Sequence, residues 1–227
     1  MAFSRKRRFI SEFGADVAIV PECSKESAYA HVEDGFSCRW IGNNPKKGLG
    51  VLVAEPWHIA RTGKPRNRWV VPIWIDGPTK FLLIAVWTMH VPGSGAKSYI
   101  GQAHEALTSN AQWMRNNRVI VAGDFNSNKI WDDERTTSGH SAVVKLLEGH
   151  GIISAYHEYF SERQGEETRP THYFWHRKSR GYHIDYVFLP SRWAQRIKIV
   201  EVGEYRRWTK LSDHVPLVVE VDLNRAR

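Results

Sequence analysis

Residues 118–126 read RVIVAGDFN, an apolar run that ends in a glycine, a carboxylate and an amide. This order predicts a buried strand with polar groups where it ends. Asp124 and Asn126 alternate along the chain, so their side chains can point the same way. A carboxylate that accepts a proton, beside an amide that orients a water or a phosphate, suits hydrolysis of a phosphate ester. Gly, Asp and Asn are also common in turns, so an ordinary turn is the alternative interpretation.

Three further segments place polar groups next to short apolar runs. They are Pro21-Glu22-Cys23 after residues 16–20, His183-Ile184-Asp185-Tyr186 entering a strand, and Ser212-Asp213-His214 before residues 215–221. Carboxylates and a histidine gathered at strand ends are what a divalent metal and a phosphate ester require. Read alone, each acidic residue is more simply a solvated charge, so their combination carries the interpretation.

The composition predicts a single domain over residues 1–227, with 42% hydrophobic residues to build its core. The two cysteines, Cys23 and Cys38, could form one bridge, but a reduced protein of the cytoplasm is the simpler interpretation. No apolar run is long enough to span a bilayer, so we expect no membrane association. The basic N-terminal residues lack a following apolar segment, which argues against a signal peptide.

The net charge is +8 and the isoelectric point about 9.6. An excess of this size favours an anionic partner such as nucleic acid. A basic surface that only keeps the protein soluble is the alternative. Exposed aromatic rings beside basic residues could bind bases and phosphates, which points to Trp131 and to the group Arg206, Arg207 and Trp208. Either tryptophan could equally anchor a loop.

Hydrophobic periodicity predicts many strands and few helices. The predicted helices cover 3–13, 96–116 and 138–148, and 158–170 is predicted to be a loop. The predicted strands cover 17–20, 37–41, 49–54, 69–75, 80–89, 118–122, 152–155, 171–175, 183–189, 197–202 and 215–221. This order favours an α/β sandwich of two packed sheets with helices outside.

The four polar segments, in this order, resemble those of the endonuclease/exonuclease/phosphatase superfamily, the DNase I-like fold. The resemblance covers about residues 3–222 and implies a four-layer α-β-β-α sandwich. It implies Mg²⁺ or Mn²⁺ as the cofactor, with Glu22 and Asp213 as the metal-binding residues.

The same resemblance implies the roles of the catalytic residues. Asp124 and Asn126 would activate the attacking water, and Asp185 would orient His214 against the phosphate. His90, in Trp87-Thr88-Met89-His90, matches the histidine that protonates the leaving oxygen in the DNase I-like branch. His183 replaces the more usual arginine of the motif around Asp185.

These features together predict a metal-dependent phosphodiesterase that hydrolyses nucleic acid, DNA rather than RNA, as an endonuclease or exonuclease. Two alternatives stay open: a phosphatase of lipid head groups or nucleotides, and a catalytically impaired nucleic-acid-binding remnant. The family begins with an asparagine-bearing strand, and Met1-Ala2-Phe3 resembles the segment that comes after that strand. We therefore expect the first strand to be missing here, through an upstream start, trimming or genuine loss. A monomer is expected, or a dimer if a second chain fills the position.

Overall fold

The computed structural model describes residues 12–64, 69–93, 99–115, 118–133 and 137–223. Its strands are β1 Val17–Cys23, β2 Phe36–Asn44, β3 Lys47–Ala54, β4 His58–Thr62, β5 Val70–Asp76, β6 Phe81–Trp87, β7 Val119–Asp124, β8 Ile152–Ser154, β9 His172–Tyr173, β10 Gly181–Tyr182, β11 Asp185–Pro190, β12 Ile197–Val202 and β13 Leu217–Val221. Its α-helices are α1 Lys25–Tyr29, α2 Ile100–Ser109, α3 His140–Glu148, α4 Ala155–Phe160, α5 Ser191–Ala194 and α6 Tyr205–Trp208. Short 3₁₀ turns cover Ala30–Val32, Ala111–Arg115, Lys129–Trp131, Phe174–His176 and Lys178–Arg180.

The strands form one large sheet and three smaller ones. The large sheet has six strands in the order β4-β5-β6-β7-β11-β8, and β6 and β7 run parallel. A three-stranded sheet has the order β1-β3-β2, and β12 pairs with β13. The two-residue strands β9 and β10 form a small ribbon. The sheets are therefore mixed but mainly antiparallel.

Strand β6 shows how the layers are arranged. Every residue of β6 is buried, as expected of a central strand covered on both faces. Its alternate residues Leu82, Ile84 and Val86 pack in one cluster with α2 and α3. Leu83, Ala85 and Trp87 point the other way and pack in a second cluster with β3, β12 and β13. The large sheet is thus covered by helices on one face and by the β1-β3-β2 and β12-β13 sheets on the other.

The fourth layer covers the outer face of the three-stranded sheet. There Cys23, Ala28, Phe36 and Leu52 form a separate small cluster, with Ala28 contributed by α1. The order helix, sheet, sheet, helix confirms the predicted α/β sandwich. It follows from the period-2 alternation that sends neighbouring residues of β3, such as Val51 and Leu52, to opposite faces.

Several predicted elements need correction. Within the described residues 99–115, the helix predicted over 96–116 is α2 followed by a 3₁₀ turn, because the side chain of Asn110 donates to the carbonyl of Ala106 and ends the α-helix. The first residues of the predicted loop 158–170 belong to α4, which ends at Ser161 with φ +56°. The predicted strand over 171–175 is only two residues long, because Trp175 has a left-handed conformation. The strand predicted from 183 begins at Asp185.

Besides α4, five short helices and strands have no counterpart in the prediction: β4, β10, α1, α5 and α6. None has more than five residues, too few for a periodic signal. The helix predicted over 3–13 lies, up to residue 11, outside the described residues. Within them β1 pairs only with β3, and β13 only with β12. No helix in the described ranges is long and apolar enough to cross a membrane.

Gly123 is required by the pairing of β6 with β7. Its φ is +134°, and a Cβ at this position would overlap the carbonyl oxygen of Val86, its partner in the parallel register. Gly35 offers a matched control, because its φ is +86° but a Cβ there would meet nothing within 4 Å. The two glycines therefore separate backbone strain from steric overlap.

We predict that Gly123→Ala lowers the free energy of unfolding by roughly 3 kcal/mol. Gly35→Ala should lower it by only about 1–2 kcal/mol, the cost of a left-handed alanine. Urea denaturation followed by circular dichroism measures both values. Equal losses in the two variants would show that the contact with Val86 adds nothing.

Candidate active site

Two carboxylates lie side by side where β7 ends and β11 begins. Asp124 and Asp185 are direct partners in the antiparallel register of these strands. Asp124 is almost fully buried, with 3% of its surface exposed. Burial, and next the negative charge of Asp185, raise the pKa of Asp124. Two carboxylates in this position need a nearby positive charge before both can be ionised.

His214 supplies a positive charge to this pair. Its Nδ1 donates to Oδ2 of Asp185 over 2.9 Å, which leaves Nε2 as the atom available for a ligand. Burial alone would lower the pKa of His214, but the charge of Asp185 and the hydrogen bond to it raise the pKa to about 10. A raised pKa favours the imidazolium form of His214, which is suited to stabilise negative charge on a phosphate.

Asn126 fixes the orientation of Asp124. Its backbone N–H donates to Oδ1 of Asp124, and its side-chain amide donates to Oδ2, both over 2.8 Å. The same amide also donates to the carbonyl of Thr88 over 2.9 Å. Asn126 has φ +45°, a strained conformation of the kind that clusters at functional sites. Because both amide hydrogens are engaged, the side-chain carbonyl of Asn126 is the part that can accept from a water.

Asp213 lies on the other side of His214, next to a residue that the sequence did not single out. Nε2 of His172 is 3.5 Å from Oδ2 of Asp213, and the rings of His172 and His214 are 4.6 Å apart. The hydrogen bond from His172 lowers the pKa of Asp213. An isolated bridge between His172 and His214 creates this contact. It joins segments far apart in the chain, so no local pattern could have revealed it.

Glu22 stands at the end of β1 with φ +59°. Its Oε1 forms an ion pair with Nζ of Lys47 over 2.9 Å, and both side chains are at least half exposed. Its charge contributes to the raised pKa of Asp124, as the smallest of the causes. Glu22 therefore faces the same centre as Asp124, but its closest partner is a lysine.

Two groups of side chains in the described ranges could hold a metal ion. They are Asp124, Asp185 and His214, and His172, Asp213 and His214, and in each the ligand atoms lie within 4.8 Å of one another. Their carboxylate oxygens suit hard divalent cations, and the imidazoles extend the choice to transition metals. The carboxylates of these groups therefore fit a metal, whereas His214 could ligate one only as a neutral imidazole. The predicted ligand Asp213 belongs to one group, and Glu22 belongs to neither.

Two other predicted site residues, His90 and Trp131, belong to surface loops. His90 is exposed, with its ring 5.6 Å from the ring of Tyr99. Trp131 is 51% exposed and lies 5.0 Å from the ring of Tyr182, after an Asn128 side chain that caps its 3₁₀ turn. Trp131 is thus open to solvent beside the ribbon that carries His172.

Of the three predicted residues before Ser212, Arg206 and Arg207 lie on the surface and Trp208 lies in the core. Arg206 and Arg207 are exposed on α6, and Arg207 lies 3.4 Å from Glu12. Trp208 is only 4% exposed, and its ring stacks on Phe13 with centroids 5.6 Å apart. The interpretation of Trp208 as a base-stacking residue is therefore corrected to a core residue. Aromatic character beside arginines could not distinguish the two.

A buried polar network supports the loop after Asn126, and no pattern in the sequence indicated it. The amide of Asn128 donates to Glu167 and to the carbonyl of His183, both over 2.9 Å. His157 lies 3.0 Å from the other oxygen of Glu167. Burial alone would raise the pKa of Glu167, but the hydrogen bonds from His157 and Asn128 lower it to about 2. This carboxylate ties the loop to His157 of α4, and the amide of Asn128 ties the loop to the segment entering β11.

The sequence profile of the Endonuclease/Exonuclease/phosphatase family matches residues 7–214. That range includes every residue of the centre described above. The chain belongs to the endonuclease/exonuclease/phosphatase family. Its hydrolase members include nucleases and phosphatases, and the fold expected from the resemblance is confirmed. No curated protein matches the chain.

Solved structures of the same fold cover nearly the whole chain. A 3′ phosphatase, NExo, from Neisseria bound to product DNA hairpin shares 20% identity at a TM-score of 0.69, covering 96% of this chain and 93% of its own. An AP endonuclease from Archaeoglobus fulgidus shares 15% at 0.71, with 97% and 94% covered. The endonuclease domain of TRAS1, a telomere-specific non-LTR retrotransposon, shares 15% at 0.65, with 99% and 93% covered.

The charge of Asp185 should control the protonation of His214. We predict that Asp185→Asn lowers the pKa of His214 from about 10, because the variant removes the main group that raises it. NMR titration of the imidazole in EDTA measures the shift. Asp76→Asn, a change at a surface ion pair with Lys80, is the control and should leave the titration unchanged.

Linkage gives the sign of the effect on stability. A raised pKa contributes stability that is complete below the unfolded value of about 6.5 and is lost as the pH rises through the folded value. The His214 contribution to the free energy of unfolding should therefore decrease between about pH 6.5 and the folded pKa of about 10. In Asp185→Asn this decrease should be smaller. If the free energy of unfolding changed with pH in the same way in the wild type and in Asp185→Asn, the assigned ion pair would be contradicted.

Proposed function

We propose that this protein is a divalent-metal-dependent phosphodiesterase that hydrolyses nucleic acid. The observation that carries the proposal is the Asp124–Asp185–His214 arrangement, with a buried carboxylate, an orienting carboxylate and an imidazolium in contact. Membership of a family of nucleases and phosphatases supports the reaction class. Phosphate hydrolysis needs a base for water and positive charge for the phosphoryl oxygens, and these residues supply both.

The protein groups have distinct roles in this proposal. Asp124 accepts the proton of the attacking water, whose position Asn126 helps to fix through its side-chain carbonyl. His214 donates from Nε2 to a non-bridging phosphate oxygen, and Asp185 holds the ring in that orientation. His90, on the exposed loop after β6, is proposed as the acid for the leaving oxygen.

Glu22 and Asp213 are proposed to hold Mg²⁺ or Mn²⁺. A bound divalent cation polarises the phosphoryl oxygen and neutralises developing charge. Lys47 would have to leave Glu22, because a cation at this carboxylate replaces the ammonium group as its counter-charge. His172 is proposed to keep Asp213 in its ionised form.

Charge and exposure favour nucleic acid as the substrate, with DNA preferred. The net charge of +8 suits a polyanion, and Trp131, Arg206 and Arg207 are exposed. A neighbour of the same fold is described with product DNA hairpin as a 3′ phosphatase. Removal of a terminal phosphate from DNA is therefore the second candidate, since it uses the same centre on a monoester.

We predict that EDTA abolishes hydrolysis of DNA and that Mg²⁺ or Mn²⁺ restores it. Asp124→Asn and His214→Ala should each reduce the rate at least ~100-fold, because each removes a group that acts on the reacting phosphate. Asp76→Asn is the matched control for charge, at a surface residue paired with Lys80. Labelled single-stranded, duplex and abasic DNA, a 3′-phosphorylated strand and RNA give the substrate range.

Each alternative has its own outcome in this assay. Hydrolysis of inositol phosphates or nucleotides, with no cleavage of any nucleic acid, would indicate the small-molecule phosphatase. Binding of DNA without turnover in any metal would indicate an impaired remnant. Turnover that survives exhaustive chelation would remove the metal from the mechanism.

We predict that DNA affinity falls steeply with salt, since phosphate contacts release counterions. Replacing Arg206 and Arg207 with Ala should reduce the slope of log affinity against log salt by about one for each lost phosphate contact. The control is Lys145→Ala with Lys198→Ala, two exposed charges on α3 and β12, which should leave the slope unchanged. Fluorescence anisotropy at several salt concentrations measures it. A flat salt dependence in the wild type would favour a small phosphoester.

A further inference from the structure

Two neighbouring aromatic rings stand in solvent at the end of β9. Trp175 is 62% exposed and Phe174 is 42% exposed. The rings stack on each other with centroids 4.7 Å apart and an interplanar angle of 24°. Trp175 is the most exposed large apolar side chain in the described part of the chain. Adjacent exposed rings mark an interaction surface more often than a scattered single residue does.

The backbone holds these rings outward. Trp175 and His176 both have left-handed conformations, with φ of +56° and +54°, which L residues adopt at a cost. Nδ1 of His176 donates to the carbonyl of Thr209 over 2.8 Å, and the hydroxyl of Tyr205 donates to the carbonyl of His176 over 2.6 Å. The turn is therefore fastened to α6, so the exposure of Trp175 is imposed by the fold.

The charged residues of the segment that carries the rings are positive. Residues 174–180 read FWHRKSR and contain no Asp or Glu. The guanidinium of Arg180 lies 4.8 Å from the centroid of Trp175, and that of Arg177 lies 5.6 Å from it. Flat aromatic surfaces with arginines at their side suit a base and the phosphates that flank it.

The rings lie close to the proposed catalytic centre. The ring of Phe174 is 6.3 Å from that of His172, which in turn is 4.6 Å from that of His214. A nucleotide whose phosphate contacts His214 would therefore place a neighbouring base near Phe174 and Trp175. Bases inside a duplex have both faces covered by their neighbours, so only an unpaired or displaced base can use these rings.

We propose that Phe174 and Trp175 form a stacking platform for an unpaired nucleobase beside the reacting phosphate, with Arg177 and Arg180 contacting the adjoining phosphates. The preferred substrate would then be single-stranded nucleic acid or an unpaired end. This inference rests on the proposed function, because it assigns the substrate class of the same centre.

The test measures binding in EDTA, where no hydrolysis is expected. The probes are a fluorescein-labelled thymidine 12-mer, the matching uridine 12-mer and the fully paired DNA duplex. Trp175→Ala should weaken binding of the single strands roughly 5- to 100-fold, the usual size of one base–aromatic stack, and duplex binding less than about 2-fold. Trp175→Phe should retain most of the affinity. Tyr29→Ala, which removes a 40% exposed ring on α1, is the matched control and should have no effect.

A second readout reports stacking directly. A 2-aminopurine placed one nucleotide from the end of the strand should be quenched on binding to the wild type and less quenched with Trp175→Ala and Phe174→Ala. Thermal melts confirm that the variants fold. Unchanged affinity and quenching in the Trp175 variants would overturn the platform, as would an equal loss for strand and duplex. Cleavage that requires metal but not Trp175 would leave the proposed function standing alone. Stacking through Trp175 without cleavage in any metal would support the platform and contradict the proposed hydrolase function.

Discussion

The structure of the site depends on the pairing of Asp124 with Asp185 across β7 and β11. Register alone places these carboxylates side by side, and burial of Asp124 makes their repulsion costly. The centre is therefore stable only with a cation beside it, and His214 is held there by its hydrogen bond to Asp185. The negative charge of Asp185 that raises the pKa of His214 also favours the charged form that a phosphate would contact.

The constraint extends into the surrounding backbone. Gly123 brings β7 close to Val86 of β6, and the next turn gives Asn126 a left-handed conformation that directs its N–H groups to Asp124 and Thr88. Glu22, across the site, is also left-handed. Such strain persists only where packing determines it. Here the fully buried strand β6 and the Glu167 network beneath the loop provide that support.

The sequence predicted those features that a short segment specifies by itself. The RVIVAGDFN segment predicted both β7 and the polar residues at its end, because an apolar run followed by Gly-Asp changes character within a few residues. Contacts between segments that are far apart in the chain could not be predicted from local patterns. His172 acquires its importance from a bridge to His214, and Trp208 becomes core through Phe13. The end of α2 was predicted wrongly because the side chain of Asn110 ends the helix through a hydrogen bond. Helix α4 was missed, because its residues fall partly in a predicted strand and partly in a predicted loop.

Selectivity has to come from outside the Asp124–Asp185–His214 centre. In the proposed mechanism the centre contacts only the reacting phosphate and the attacking water, and the phosphate is the same in every nucleotide, so the centre cannot distinguish bases or strands. The side chains that surround it differ in what they can distinguish. Arginines on α6 respond to charge alone, whereas exposed rings require a free base face. The turn holds Trp175 in water although its left-handed backbone costs free energy, which is consistent with a ligand that uses the exposed ring. On this reasoning the chemistry is set by β7 and β11, and the choice of substrate by the ribbon and turn that come after His172.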